Sequence, residues 1–266
     1  MRAFRVAYDG RPFHGFQRQP DVPTVEDAIF DALRELGVAD GKPEGYAAAG
    51  RTDAGVSAVA QTVAFECPDW LTPAALNGEL PASVRAWANA AAPDGFHATH
   101  HAESRAYVYH LHAPDADLGR AEAALDRLRG ERDFHNLTPD DENTVRELEA
   151  AAFRDGEYLV FRLRAGGFVR EMVRRVVSLV RAVATGDSEL SKVERVLGPE
   201  KIVGPEGVPP APAYPLVLAD VEYPMLDFSV DEEAAASARE VFVDRRQRRL
   251  AGARVAAALS PEPLDR

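Results

Sequence analysis

The sequence of this 266-residue chain predicts an α+β fold built from two similar halves. Three observations carry that expectation. Segments with apolar residues at every second position alternate with segments whose apolar residues recur every three to four positions. Such a mixture lays helices against a sheet and does not suit strands alone. The succession of strands and helices in about the first hundred residues returns in outline over the next hundred, with no visible sequence repeat. Hydrophobic residues make up 46% of the chain, enough to fill a core in each half.

Residues 2–8 (RAFRVAY) place Phe4, Val6 and Tyr8 on one face and stop at Asp9-Gly10, a strand followed by a turn. Thr24 is the N-cap expected for TVEDAIFDALREL, whose Val25, Ile29, Ala32, Leu33 and Leu36 form an apolar stripe, and Gly37 stops that helix. AQTVAFE (60–66) predicts a strand, PAALNGELP (73–81) a short helix and VRAWANAAA (84–92) a third strand. RAYVYHLHA (105–113) opens the second half as a strand with Tyr107 and Tyr109 on one face. GRAEAALDRLRGERD (119–133) reads as helix and TVRELEAAAFRDGEYLVFRLRA (144–165) as a hairpin of strands. A long helix from about 168 to 184, a short one at 191–197 and the strand LVLADVEY (216–223) complete the set, with a Pro/Gly-rich loop before the last. The expected units are 1–98, 99–226 and a helical extension, 227–266, that carries RRQRR (245–249). Phe242, Leu250 and Val255 are expected to dock the extension, with Arg245, Arg246, Arg248 and Arg249 facing outward.

Forty-three acidic residues against 31 basic ones give a net charge of −12, and lysine occurs only at Lys42, Lys192 and Lys201. An acid-rich, lysine-poor chain fits a salt-loving organism, where self-repulsion is screened, or an acidic mesophilic enzyme with high-GC codon usage. A nonspecific nucleic-acid binder would be basic, so nucleic acid requires a local arginine patch. Cys67 is the one cysteine, which excludes an intrachain disulfide and a cysteine-based metal site. The N-terminus lacks the apolar run of a signal peptide and no stretch is long enough to span a bilayer, so a cytoplasmic protein is expected. HATHH (97–101) has no companion Cys, Asp or Glu at ligand spacing, which favours a solvated or RNA-facing histidine group over a metal site.

Two stretches can carry chemistry. AAAGRTDAGVSA (47–58) surrounds Arg51 and Asp53 with small residues. It reads either as a surface turn or as a carboxylate on a tight turn left uncrowded for a planar substrate. FVREMVRRVVSLVRAV (168–183) buries Val169, Met172, Val173, Val176, Val180 and Val183. Helical spacing puts Arg170, Arg174 and Arg181 within roughly 40° of one another at the margin of that stripe. There they either snorkel to water or meet a carboxylate or phosphate in a cleft.

Five motifs in order, YDGRPFHGFQRQ (8–19), GRTDAGVSA (50–58), ALNGELP (75–81), GFHATHHAESRAYVY (95–109) and FVREMVRRVV (168–177), resemble those of the tRNA pseudouridine synthase A family. The resemblance covers all but the tail. It implies two ferredoxin-like (RRM-like) halves joined through one extended antiparallel sheet with a central RNA-binding cleft. It further implies a homodimer, no metal and no organic cofactor, with tRNA as substrate. The implied reaction turns uridine into pseudouridine on the 3′ side of the anticodon arm (tRNA positions 38, 39 and/or 40). Matched residue by residue, the family's nucleophile falls on Asp53, its base-stacking tyrosine on Tyr107 and the arginine paired with the aspartate on Arg174. Arg51 matches an RNA-contacting arginine, and Arg18 and Arg170 are further candidates for phosphate contacts. Ser57 and Ala60 stand where the family has a histidine and a glycine, His100 where it has an aromatic, and Phe16 where it has tryptophan.

The chemistry accounts for the small residues. A uracil must leave its stack to expose ring and glycosidic carbon, at about a few kcal/mol, and Gly50, Ala54 and Gly55 leave room for it. A nucleophilic carboxylate must be ionised, a state that a nearby arginine favours. The chief rival is a non-catalytic RNA-binding protein on the same frame, with Tyr107 and Tyr109 as stacking platforms. It has no use for an aspartate facing phosphates. An aspartate-dependent hydrolase would need a second acid or a metal.

Overall fold

The structure, a computed structural model, describes residues 1–259. In the first half β1 (Arg2–Tyr8), α1 (Val25–Glu35), β2 (Ala47–Ala48), β3 (Ser57–Phe65), α2 (Pro73–Glu79) and β4 (Val84–Ala91) follow one another. The second half contains β5 (Ser104–His112), α3 (Leu118–Leu128), β6 (Gly130–Asp133), β7 (Val145–Asp155), β8 (Tyr158–Ala165), α4 (Met172–Ala184), α5 (Ser191–Val196) and β9 (Leu216–Glu222). The tail adds β10 (Ser229–Val230) and α6 (Glu232–Ala258).

The expected α+β architecture is present. One sheet runs β10-β4-β1-β3-β9-β5-β8-β7-β6, with β2 on β3 beside that path. In each half the first strand lies between the last and the last but one, β4-β1-β3-β2 and β9-β5-β8-β7, which is the ferredoxin-like arrangement twice over. Pairing is antiparallel except at the joint, where Ser57 and Ala58 of β3 run parallel to Val217 and Leu218 of β9. The joint exists because β2 is only two residues long. It covers Val63 and Ala64 and leaves the rest of that edge of β3 free for β9.

Each half buries its own apolar cluster, Phe4, Leu33, Phe65 and Leu71 in one and Leu125, Phe134, Phe161 and Val176 in the other. The clusters exchange residues at the joint. Leu218 and Val221 of β9 pack in the first, while Val56, just before β3, packs in the second. Side-chain oxygens satisfy a first-turn amide of α1, α2, α3 and α6. Thr24 accepts from Asp27 N (3.2 Å), Thr72 from Ala75 N (3.1 Å), Asp117 from Arg120 N (2.9 Å) and Asp231 from Ala234 N (3.0 Å).

Three expectations are corrected. The helix expected from 168 begins at Met172, because Glu171 takes a left-handed conformation (φ 60°) and Met172 N closes a turn on Val169 O. Arg170 therefore lies on that turn and not on the helix face. GERD (130–133) is strand and not helix. Gly130 at φ +78° redirects the chain, and the open edge of β7 supplies partners for its backbone. In the tail, Leu250 and Val255 are exposed, and α6 seats through Ala234, Ala235 and Ala238. Arg245 and the more exposed Arg249 do not simply face outward, since both are bonded to the carboxylate of Asp9, whose side chain is only 5% exposed. A buried carboxylate outcompetes water for these two guanidiniums.

Gly10 marks the tightest approach in the first half. A Cβ there would lie 2.0 Å from the Val56 carbonyl oxygen, a backbone atom that cannot swing away. Gly10→Ala should cost stability at or above the top of the ~1–3 kcal/mol typical of overpacking, read as a lowered urea midpoint at unchanged slope.

Candidate active site

Residues 49–56 connect β2 to β3 where the two halves meet. Val56 N donates to Asp53 O (3.1 Å), closing a four-residue turn whose third position, Gly55, sits at φ +82°. Buried bonds fix the turn from beneath. Tyr8 Oη and Thr52 Oγ1 are 2.7 Å apart, Phe16 N donates to Thr52 O (3.0 Å), and Gln61 Nε2 donates to Gly50 O (2.9 Å). Ser57 Oγ accepts from Gly10 N (3.0 Å), so the hydroxyl at this departure from the family pattern ties the turn to the loop after β1.

Asp53 is brought to Arg174 across 121 residues of chain. Arg174 Nη1 lies 3.0 Å from Asp53 Oδ2, with the two side chains 16% and 36% exposed. The guanidinium is aimed before any substrate arrives. Arg174 Nε donates to Ala211 O (2.7 Å), and Ala211 N donates to Arg174 O (3.1 Å). One carboxylate oxygen of Asp53 is thus paired, and the group still reaches the cleft.

Tyr107, on β5, stands edge-on to Phe168 at 5.2 Å between ring centres. Burial, and secondarily the nearby Asp53 carboxylate, push its phenol up to about 12, with Arg105 opposing. It is therefore a neutral aromatic face with a donor hydroxyl, not a base. Asp53, Tyr107, Arg174, Arg51, Arg170 and Phe168 line a cleft of about 780 Å³.

The other candidates fall unevenly. Arg51 is exposed on the cleft wall. Arg170 lines it too but is engaged by Asp140, its Nε 3.2 Å from Oδ1 and its backbone N 3.0 Å from Oδ2. Arg18 lies outside the cleft lining and is tied to the start of α1. Its Nε sits 2.7 Å from Asp27 Oδ1 and its backbone N donates to Glu26 Oε2. Tyr109 is buried and donates to Pro212 O (3.0 Å), which leaves Tyr107 without the partner that a two-tyrosine stacking platform requires. His97 lines the cleft with its ring 4.2 Å from that of His100, and burial followed by the neighbouring histidines lowers its pKa. Among the described residues no three His, Cys, Asp or Glu side chains are grouped as metal ligands. No helix among them is long and apolar enough to cross a membrane.

Arg105 is a site residue that sequence reasoning passed over. Its guanidinium donates to Ala49 O (2.8 Å), Thr99 O (2.5 Å), Ala102 O (3.2 Å) and Gly166 O (2.6 Å), pinning both halves around the cleft. The available signal was its place two residues before Tyr107, on the same strand face.

A family model described as tRNA pseudouridine synthase matches residues 124–224. The tRNA pseudouridine synthase A of Natronomonas pharaonis is 61% identical over 265 residues, covering 98% of this chain and 99% of its own. That of Haloarcula marismortui is 58% identical, covering 96% and 98%, and that of Archaeoglobus fulgidus 37% identical, covering 91% of each chain. The chain belongs to the tRNA pseudouridine synthase A family. The matched family model contains Arg174 but neither Asp53 nor Tyr107, so the near full-length relatives extend family membership to the first half. The most similar of these synthases come from halophilic archaea, in keeping with the acid-rich, lysine-poor composition.

Two outcomes are expected. Tyr109, like Tyr107, is pushed up to about 12, chiefly by burial and against the ordinary 10. A folded-state pKa raised this way stabilises the fold below pH 10, and the contribution is lost as pH rises from 10 to 12. The urea midpoint should fall across that window, and Tyr107→Phe should flatten the fall. Arg105→Ala should strand several carbonyls at the cleft wall and lower the thermal midpoint, whereas a cleft wall held without it would leave the midpoint unchanged.

Proposed function

We propose that this chain is an isomerase that converts uridine to pseudouridine in tRNA, on the 3′ side of the anticodon arm, with Asp53 as nucleophile. The observation that carries the reading is the 3.0 Å contact of Asp53 with Arg174, made between the two halves beside Tyr107 in an open cleft. The tRNA substrate follows the names of the relatives, and the anticodon arm follows the motif resemblance.

The residues divide the work. A uridine flipped from its stack enters over the small residues of the Asp53 turn, and Tyr107 offers its ring to the base and its hydroxyl to the sugar. The Asp53 carboxylate attacks the ribose C1′ or the uracil ring carbon C6, the N1–C1′ bond breaks, the freed uracil turns to present C5 to C1′, and the C–O bond to Asp53 breaks again as product forms. A C–C bond forms, the C5 proton leaves to solvent, and N1 gains a proton. One C–N and one C–H bond are exchanged for one C–C and one N–H bond, with no net redox change. Arg174 holds a countercharge against the carboxylate before it attacks and after it is released. Arg51 and Arg170 at the cleft wall suit phosphate contacts, which serve shape more than sequence. Arg18, held by Asp27, is the weakest of the three.

A homodimer in the cytoplasm completes the reading, supported by the same resemblance, and sedimentation of the pure protein tests the oligomer. The non-catalytic RNA binder is disfavoured by the buried Tyr109 and by a carboxylate in the path of phosphates.

The test is single-turnover release of tritium from C5-labelled uridine in tRNA, together with tRNA affinity. Asp53→Asn should abolish release while binding survives or tightens, because one negative charge beside the phosphates is gone. Appreciable turnover by that variant, checked for deamidation, would sink the mechanism. Arg174→Ala should lose activity and about 1–2 kcal/mol of stability, less than a fully buried pair because Asp53 is 36% exposed. Arg174→Lys should recover only part of each, since an ammonium cannot hold Asp53 and Ala211 O in a fixed fork.

A further inference from the structure

The sequence marks the arginines of RRQRR as outward-facing, yet two of them reach Asp9, at the end of β1. Arg245 and Arg249, one helical turn apart on α6, both donate to Asp9 Oδ2. Asp9 is almost wholly buried, and its other contacts are weak or neutral. Oδ1 faces Arg11 N at 3.4 Å, and its backbone N donates to Ser83 O. Its charge is therefore answered from the tail. The residues on either side of Asp9 hold the catalytic turn. Tyr8 bonds to Thr52, and Gly10 donates to Ser57 Oγ with its Cα packed against Val56 O. Val56 N in turn closes the turn on Asp53 O. After Ala238, α6 has no further buried residue, so these two arginines anchor its distal half.

We infer that Arg245 and Arg249 are positioning residues for the Asp53 turn, acting through Asp9, and that the tail helix is a working part of the active site. None of the three lines the cleft, so the effect on the reacting centre runs through the turn. Without the arginines an uncompensated carboxylate would draw water and move, carrying Tyr8, Gly10 and the turn with it. An uncharged side chain at position 9 would not.

This inference rests on the proposed reaction for its kinetic readout, and amide exchange supplies a readout that does not. Three full-length variants decide it: Arg245→Ala with Arg249→Ala, Asp9→Asn alone, and the three changes together. The expected result for the arginine pair is a tenfold or greater fall in single-turnover pseudouridine formation with tRNA affinity within about threefold of wild type, a split that a general loss of fold or of RNA contact would not give. Exchange at the Val56 amide should quicken at least tenfold in the same variant. Adding Asp9→Asn should restore most of both, and Asp9→Asn alone, which keeps the arginines but removes the charge they answer, should lose less of each than the arginine pair does. If the arginine pair does not fold, a folded triple variant with the protected Val56 amide upholds the inference, and one with rapid exchange there overturns it. Unchanged rate and exchange in the arginine pair, loss of affinity in step with rate, or no rescue by Asp9→Asn would each overturn it. A wild-type protein that makes no pseudouridine would remove the reaction assignment, while Val56 exchange would still judge the clamp.

Discussion

Four residues of parallel pairing hold the structure to its purpose. Ser57 and Ala58 of β3 against Val217 and Leu218 of β9 turn two ferredoxin-like units into one sheet. Everything at the cleft follows from that seam. The turn bearing Asp53 enters β3 there, and the 211 loop leads into β9 there while bonding Arg174 from α4. The cores agree with the backbone, because Leu218 and Val221 pack in the first cluster and Val56 in the second. Sliding one half against the other would break both cores, which fixes the carboxylate against the guanidinium without any covalent link.

Arginine does most of the polar stitching. Arg105 gathers four carbonyls, Arg174 spans a carboxylate and a carbonyl, and Arg175 joins Glu171 to Val208 O. Arg2, Arg5, Arg120 and Arg129 each cap a distant carbonyl as well. A planar fork with five donors can serve several acceptors at fixed angles, and a single ammonium cannot. The shortage of lysine thus has a structural side beside its compositional one. Many of the arginines are thus engaged inside the protein, while Arg51 on the cleft wall is not among them.

Much of this was legible in the sequence because it is locally encoded. The alternation of β1, the Thr24 cap and the stripe of α4 each follow from neighbours a few residues apart. Asp53, Tyr107 and Arg174 were marked by motif, and the fold brings them to one cleft. The misses share a cause. GERD is strand because β7 offers an edge, α4 starts late because Glu171 turns the chain, and Arg245 and Arg249 turn to Asp9, buried 236 and 240 residues away. Arg105 bears no local mark for the same reason, since two of its carbonyl partners, Ala49 and Gly166, lie 56 and 61 residues away. No local pattern reports such partners.

The two-residue length of β2 also shapes how the chain is made. On a ribosome, β3 emerges with most of one edge uncovered, and the strand that will cover it lies about 160 residues downstream. Until then Ala58 and its neighbours offer unpaired amides and carbonyls to any extended chain nearby. The first half can form β4-β1-β3 and its core early, but it cannot close itself. Closing waits on β9, which in order of synthesis is the last long strand of the sheet. The seam that creates the cleft is therefore also the strand pairing of longest range in the chain, and the cleft cannot exist until that pairing is made.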